Sequence, residues 1–203
     1  MADKMRFIPN FYDPEYFYPP EKPRKNDPLV ILFPRRSQVN RGSRILGDII
    51  SQIPHQVEIH WVGKGDELDT RIIKDLCKKD SRLSFHEEGF NTMSDWYKKA
   101  DICVIPTIAC EGTSLSCIEG LASGCAVVST NVGGLPNLIQ DQINGMLVDP
   151  FANDIAHAIN GLIENPEERL RLQKAGAQSA KRFNIQEWQK KWTSILKHLK
   201  WLD

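Results

Sequence analysis

The sequence predicts an α/β domain in which an open parallel sheet is covered by helices on both faces. Short apolar runs alternate with segments of helical periodicity along most of the chain, which is the pattern of repeated βαβ units. Two of these runs, LVILF at 29–33 and CVIP at 103–106, are almost entirely apolar, as expected of strands that are buried on both sides. The proline-rich segment before residue 28 has no such alternation.

The length and the charge of the chain limit the function classes. Its 203 residues suffice for one domain with a substantial core, and two full domains are not expected. Lys plus Arg and Asp plus Glu each number 26, so no net field draws nucleic acid to the protein, and we exclude nucleic acid as a partner. Any anion site must therefore be local.

Several features indicate a cytoplasmic protein. The five cysteines show no C-x-x-C spacing, which favours reduced thiols, with a disulfide or a metal site as the alternative. No run approaches the roughly 18 apolar residues of a membrane span, and residues 1–25 lack the apolar core of a signal peptide.

The elements follow in a regular order. Residues 1–27 are rich in proline, aromatic and charged residues, so we expect an extended linker, and the domain proper then covers 28–183. Strands are predicted at 29–33, 57–63, 82–87, 101–106, 125–130 and 145–148. Helices are predicted at 43–53, 67–79, 92–100, 114–123, 135–141, 151–164 and 166–183, and a last helix lies within 184–203.

Ligands of such sheets bind beyond the carboxyl ends of the strands, so we consider the loops that follow the strands. After the first strand, PRRSQVNRG places Arg35, Arg36 and Arg41 in a loop that enters a helix. Guanidinium groups suit phosphate oxygens, although a solvated basic loop is the alternative. After the second strand, Gly63-Lys64-Gly65 would let the backbone approach a ligand, and a plain turn is the alternative.

The stretch EGTSLSCIE, residues 111–119, follows the fourth strand and carries two carboxylates with no other charge between them. A helix that begins near Thr113 or Ser114 would present free N–H groups from Gly112 to Ser116, which suit an anion. Glu111 would precede the helix, and Glu119 could point from the helix toward the same crevice. The alternative is that Thr113 or Ser114 merely caps the helix and Glu119 lies on the surface.

Two further loops complete the predicted site. Gly133-Gly134, in NVGGLPN, is a turn with room for an anion or a sugar, or else a hairpin-like turn. Phe90, which ends SFHEEGF, could face a nucleobase, or else belong to the core.

Together these loops resemble a known family. The segment from Glu111 to Pro150 is similar to the donor-binding segment of the retaining, GT-B-type glycosyltransferases, with their E-x7-E motif at Glu111 and Glu119. The basic pair before Arg41-Gly42 resembles that family's diphosphate-binding pair, and FIPNFYDPEYFYP resembles its interdomain linker.

The resemblance implies a Rossmann-like lobe of a GT-B fold that binds a UDP- or GDP-sugar. It places Arg36 and Arg41 on the diphosphate, Glu111 on the sugar hydroxyls as the catalytic residue, and Glu119 on the ribose. The other implied donor-binding residues are Gly63, Phe90 beside the base, and Gly112, Thr113, Ser114, Leu115 and Ser116 at the phosphate and sugar. Two arginines and a helix N-terminus can stabilise a departing diphosphate without a metal, so we expect neither a metal nor a cofactor.

The sequence also departs from the family pattern. Arg41 stands where lysine is usual, Thr113 and Ser114 replace an aromatic residue and glycine, and Asn137 replaces a glutamate. In this family the acceptor site belongs to an N-terminal domain, so we infer a C-terminal half that binds donor and transfers sugar poorly by itself. A role in polysaccharide or glycoconjugate synthesis is a family-level expectation. The alternatives are a non-enzymatic nucleotide-sugar-binding module and a lobe of a sugar-nucleotide epimerase.

The final helix carries an apolar stripe that includes Trp188, Trp192 and Leu199, with lysines around it. We expect this stripe to pack on the missing N-terminal lobe. The alternative is contact with a membrane surface, which would place the protein peripherally on the inner face of a membrane.

Overall fold

The computed structural model describes residues 7–22, 24–25, 27–54, 56–89, 92–199 and 201. Its centre is a six-stranded parallel sheet with the strand order β3-β2-β1-β4-β5-β6. The strands are β1 (Leu29–Phe33), β2 (Val57–Val62), β3 (Leu83–His86), β4 (Ile102–Ile105), β5 (Ala126–Thr130) and β6 (Met146–Val148). The helices are α1 (Leu46–Ser51), α2 (Glu67–Lys79), α3 (Met93–Lys99), α4 (Leu115–Ala122), α5 (Ala152–Glu164), α6 (Pro166–Ala180) and α7 (Ile185–His198). The predicted fold class is confirmed.

The sheet is buried on both faces because successive strand residues point in opposite directions. Ile31 and Phe33 of β1 pack in the core that includes α1 and α5. Val30 and Leu32 pack in a second core, which includes residues of α3 and α4. This two-sided burial explains why the β1 sequence is continuously apolar rather than alternating.

The strand order reverses between β1 and β4, which are neighbours in the sheet. The chain proceeds outward from β1 to β2 and β3, and then returns to place β4 on the other side of β1. The loops after β1 and β4 therefore leave the sheet in different directions, and a crevice forms between them at the carboxyl ends of the strands.

One predicted helix is wrong. Residues 135–141 form only a 3-10 turn at Leu135–Asn137. The next residues, Leu138 and Ile139, are buried, and the Asn144 side chain binds the Leu138 carbonyl at 3.0 Å and the Gln140 amide at 2.7 Å. Since this side chain satisfies backbone groups that a helix would otherwise have paired, the chain can turn toward β6 instead.

The proline-rich segment before β1 packs against the domain. Tyr12 exchanges backbone hydrogen bonds of 3.0 Å with Phe183 and Ile185, and the buried ring of Phe17 meets Tyr97 edge-on at 5.7 Å. The segment is therefore part of the second core as well as a connection.

Arg24, near the end of this segment, joins two helix ends. Its guanidinium donates to the carbonyls of Tyr97 and Lys98 at 3.2 and 3.0 Å, and to those of Ser123 and Gly124 at 2.7 Å each. These carbonyls lie at the C-termini of α3 and α4, where helix carbonyls have no partner within the helix. Arg24 therefore fixes α3 and α4 relative to each other.

The last helix, α7, lies on the surface. The Asn184 side chain caps its N-terminus by accepting from the Glu187 amide at 2.8 Å, and no residue of the helix is fully buried. Trp188 contacts Phe11 with 4.8 Å between ring centroids, and Trp192 at 5.9 Å. Among the described residues, no helix is long and apolar enough to cross a membrane.

Candidate functional site

Two arginines and one glutamate meet at the crevice. Arg35 follows β1, and its Nη2 lies 2.7 Å from Oε2 of Glu111, in the loop after β4. The same Oε2 accepts a short hydrogen bond from Nη1 of Arg41. Residues that are 76 positions apart in the sequence thus form one charged cluster, because β1 and β4 are adjacent in the sheet.

The cluster differs from a surface ion pair in its burial. The side chains of Arg35 and Glu111 are 5% and 8% exposed, whereas that of Arg41 is 24% exposed. Burial opposes ionisation of Glu111, but the charges and hydrogen bonds of both arginines outweigh it and lower the pKa of Glu111. Glu111 is therefore a carboxylate at neutral pH, and the cluster carries a net positive charge.

Arg35 is held by its neighbours and retains a free donor. Its Nη2 also donates to Oγ1 of Thr107 at 2.8 Å, and its Nη1 lies 3.4 Å from Oγ of Ser114. Its Nε is buried and has no hydrogen-bond partner among the described residues. An unpaired buried guanidinium donor is costly, so Arg35 is held in the cluster by its two Nη groups at the expense of its Nε.

Two glycines pack closely against the backbone of Glu111 and Gly112. A Cβ on Gly133, whose φ is 57°, would lie 2.3 Å from the Glu111 carbonyl oxygen, and one on Gly134 would lie 2.3 Å from that of Gly112. The Gly134 amide also donates to the Glu111 carbonyl at 2.9 Å. The predicted turn is present, and its glycines allow it to support the Glu111–Gly112 peptide.

Gly63 packs in the same way against the backbone of Arg35. Its φ is 148°, and a Cβ would lie 2.5 Å from the Arg35 carbonyl oxygen. A Cβ on Gly65 would lie 2.3 Å from the Ser37 amide nitrogen. Gly63 thus adjoins the cluster through the loop that carries Arg35, and its part in donor binding remains a prediction.

The N-terminus of α4 opens toward the same crevice. Ser114 is its N-cap, with Oγ accepting from the Cys117 amide at 3.4 Å, and Leu115 is its first residue. Gly112 is exposed, and no atom lies within 4 Å of a Cβ built there. The first amides of a helix have no partner within the helix, so an anion could reach them here. The side-chain amide of Asn10 holds the backbone at Thr113 by donating to its carbonyl at 2.8 Å.

Glu119, the second carboxylate, lies inside the domain. It is 7% exposed, and its Oε2 accepts a hydrogen bond of 2.9 Å from the hydroxyl of Tyr97 in α3. Burial raises the pKa of Glu119 to about 7, against the opposing effect of the Tyr97 hydrogen bond. The surface placement that the sequence left open is wrong. The first turn of α4 is also tied to the loop after β1, because Ser116 Oγ donates to the Pro34 carbonyl at 2.9 Å.

Some predicted residues lie apart from the cluster. The arginine that contacts Glu111 is Arg35, whereas the neighbouring Arg36 is exposed, so its assignment to a diphosphate remains a prediction. Phe90 lies outside the described residues. Sequence reasoning also missed Thr107 and Tyr97, since neither belongs to a recognisable motif and only the tertiary structure brings them to the site.

The described residues contain no group of three or more His, Cys, Asp or Glu side chains that could hold a metal ion. The positive charge at the site comes from Arg35, Arg41 and the helix N-terminus. This arrangement can bind a phosphate-containing anion and stabilise negative charge that develops on it.

Comparison with known proteins identifies the family. A family model described as glycosyl transferases group 1 matches residues 28–165, which is more than half of the chain. The chain therefore belongs to the group 1 glycosyl transferases. It is 35% identical over 201 residues to a D-inositol 3-phosphate glycosyltransferase of Arthrobacter sp. (strain FB24), covering 91% of this chain and 48% of that protein. A protein of the same description from Xylanimonas cellulosilytica is 28% identical over 170 residues, covering 79% of this chain and 40% of that protein. The chain thus spans less than half of either relative.

Solved structures show the same fold. Sucrose-phosphate synthase from Thermosynechococcus elongatus superposes with a TM-score of 0.85 at 26% identity, covering 96% of this chain and 52% of that chain. HepE from Anabaena, solved in complex with UDP, superposes with a TM-score of 0.85 at 20% identity, covering 98% of this chain and 58% of that chain. At that identity the second likeness concerns the fold alone.

Proposed function

We propose that this chain is the donor-binding half of a retaining glycosyltransferase of the hexosyltransferase type. It binds a UDP- or GDP-sugar, whose glycosyl group passes to an acceptor hydroxyl with retention of anomeric configuration, in polysaccharide or glycoconjugate synthesis. The observation that carries the proposal is the convergence of Arg35 and Arg41 on Glu111 in front of the N-terminus of α4. Two solved structures of the same fold, HepE with UDP and HepE with UDP-glucose, support a nucleotide-sugar ligand.

In this proposal the diphosphate lies between the arginines and α4. Arg35 and Arg41 bind its oxygens, the first amides of α4 supply further donors, and Arg36 is a third candidate contact. The diphosphate competes with Glu111 for the guanidinium groups, which frees the Glu111 carboxylate for the sugar hydroxyls. Charge that develops on the departing diphosphate meets fixed positive groups, so no metal is required.

Glu119 accepts the hydroxyls of the ribose, and Phe90 remains the candidate neighbour of the base. Two acceptor oxygens on one buried carboxylate suit a vicinal diol. Polar atoms in a buried site discriminate strongly against a ligand that leaves them unpaired.

We propose that the acceptor site belongs to a second lobe, outside these 203 residues, and that these residues alone bind donor and transfer sugar poorly. The exposed stripe on α7 packs on that lobe. The alternative, an anionic membrane surface, predicts that the chain pellets with vesicles that contain phosphatidylserine; absence of pelleting would remove it.

A saturation-transfer NMR titration tests the proposal. UDP, GDP and ADP are added in turn to the wild type, to Glu119→Ala and to Glu168→Ala, a control that removes a surface carboxylate paired with Arg171. We expect one nucleotide to bind saturably to the wild type and to the control, and at least tenfold more weakly to Glu119→Ala. The proposal fails if none of the three binds to the wild type at millimolar concentration.

A further inference from the structure

Tyr97 and Glu119 form a buried hydrogen-bonded pair between α3 and α4. The Tyr97 hydroxyl lies 2.9 Å from Oε2 of Glu119, and the two residues are 0% and 7% exposed. The same hydroxyl lies 3.3 Å from the Ser116 carbonyl. A hydroxyl has one proton to donate. The Glu119 carboxylate is closer to it than the Ser116 carbonyl and, when ionised, is the stronger acceptor. The proton therefore belongs to the bond with Glu119.

The tyrosine is held rigidly. Phe17 packs edge-on against its ring at 5.7 Å, and Arg24 donates to its backbone carbonyl at 3.2 Å. The facing part of α4 is fixed as well, by the bond from Ser116 Oγ to the Pro34 carbonyl. These contacts thus fix both the ring of Tyr97 and the first turn of the helix that carries Glu119.

We propose that Tyr97 is a positioning residue for nucleotide binding, whose hydroxyl holds the Glu119 carboxylate as an oriented acceptor for the ribose diol. The proposal rests on the proposed function above. Within the described residues, Tyr97 is the only hydrogen-bond donor to this carboxylate. It uses one acceptor site on Oε2, so Oε1 and the second lone pair of Oε2 remain for the two ribose hydroxyls.

The pair lies among few other titratable groups. Cys103 of β4 interacts with both Tyr97 and Glu119, and Arg35 after β1 interacts with Tyr97. Burial raises the pKa of Glu119 to about 7, and the Tyr97 hydrogen bond is the contact that opposes this rise. Without the hydroxyl the pKa rises further, so a smaller fraction of Glu119 is ionised at neutral pH.

The test compares UDP affinity across pH 6 to 8.5 by isothermal titration calorimetry in the wild type, Tyr97→Phe and Tyr12→Phe. Tyr12 is a second buried tyrosine, with backbone bonds at the start of α7, so it controls for loss of a buried hydroxyl. The UDP phosphate titrates in the same range, and the ratio of variant to wild-type affinity removes that contribution. A direct readout is the carboxyl ¹³C resonance of Glu119 in the unliganded proteins.

We expect Tyr97→Phe to weaken UDP binding about five- to tenfold at pH 7, because a rise of about one unit in the pKa of Glu119 lowers its ionised fraction by that factor. The loss should be smaller at pH 8.5, where Glu119 is mostly ionised in both proteins. The Glu119 midpoint should move upward, and Tyr12→Phe should match the wild type. A Tyr97→Phe affinity ratio that is constant over pH, with an unmoved Glu119 midpoint, would overturn the proposal.

Two further outcomes are informative. If Tyr97→Phe does not fold, Phe17→Leu, which removes the ring packed edge-on against Tyr97, takes its place: a raised Glu119 midpoint with weaker UDP binding supports the proposal, and an unchanged midpoint and affinity overturn it. If the wild type binds none of UDP, GDP or ADP, the proposed function fails and the role of Tyr97 in nucleotide binding fails with it, whereas a folded Tyr97→Phe with wild-type affinity at every pH overturns the role of Tyr97 alone.

Discussion

Arg35 and Glu111 form a buried ion pair, 2.7 Å long, that joins the loops after β1 and β4 at the point where the strand order reverses. In the proposed function the pair connects the stability of the domain to ligand binding, because the guanidinium group that holds the two loops together is one that the diphosphate would contact.

Glu111→Gln should destabilise the domain substantially. The variant leaves the Arg35 guanidinium buried without a counter-charge, and such a loss costs about 3–5 kcal/mol. Urea unfolding followed by circular dichroism at pH 7 measures the change. Glu168→Gln, which breaks the exposed pair with Arg171, is the control and should leave the midpoint unchanged. Equal midpoints for the two variants would show that the buried pair does not stabilise the fold.

Glu119 should give stability a particular pH dependence. Its pKa is about 7 in the folded state against a reference value of 4.5, so the folded state binds the extra proton between these values. Stability is therefore greater at low pH and is lost as pH rises from about 4.5 to about 7, by up to about 3 kcal/mol.

Unfolding free energies of the wild type and Glu119→Gln at pH 5 and pH 7.5 measure this effect. Burial lowers the pKa of His60 and of His86, which gives the opposite trend, so the quantity to compare is the difference between the two proteins. We expect the wild type to lose more stability than Glu119→Gln over this range. Equal losses of unfolding free energy in the two proteins would show that the pKa of Glu119 is not raised by folding.

The turn beneath Glu111 should tolerate no side chain. In Gly134→Ala the new Cβ would meet the Gly112 carbonyl at 2.3 Å, so the loop that carries Glu111 must shift. We expect UDP affinity to fall at least tenfold. Gly161→Ala is the matched control, because nothing lies within 4 Å of its Cβ and alanine stabilises a helix interior by about 0.5–1 kcal/mol. Calorimetric titration of both variants should find normal affinity only in the control.

Arg24 should contribute to stability from outside the site. Arg24→Met leaves four carbonyls at the ends of α3 and α4 without their shared donor, at a cost of about 2 kcal/mol. The adjacent exposed lysine provides the control variant Lys25→Met. Thermal unfolding should show a lower Tm for Arg24→Met only; indistinguishable Tm values would mean that solvent replaces the arginine at no cost.

Most of the fold follows from patterns in the sequence. The strands are short runs rich in apolar residues, and the helices between them keep a 3.6-residue period, so their order could be read from residues 29–183. The exception is residues 135–141, where apolar spacing predicted a helix. There the side chain of Asn144 satisfies the backbone instead, a tertiary contact that periodicity does not report.

The site was less predictable than the fold. E-x7-E marked Glu111 and Glu119, but adjacent arginines at 35 and 36 cannot be distinguished by composition, and only the exit direction of the chain from β1 brings Arg35 to Glu111. Tyr97 lies on a different helix from Glu119, so their contact depends on how α3 packs against α4.

The proposed function requires that Arg35, Arg41 and the N-terminus of α4 bind a diphosphate. Calorimetric Kd values for UDP, UMP and uridine in the wild type, Arg41→Gln and Arg36→Gln test it most directly. We predict that the wild type prefers UDP to UMP at least tenfold and that Arg41→Gln loses most of this preference. Arg36→Gln reports whether the exposed arginine contributes as well. An unchanged preference in Arg41→Gln, or equal affinity of the wild type for UDP and uridine, would contradict the account.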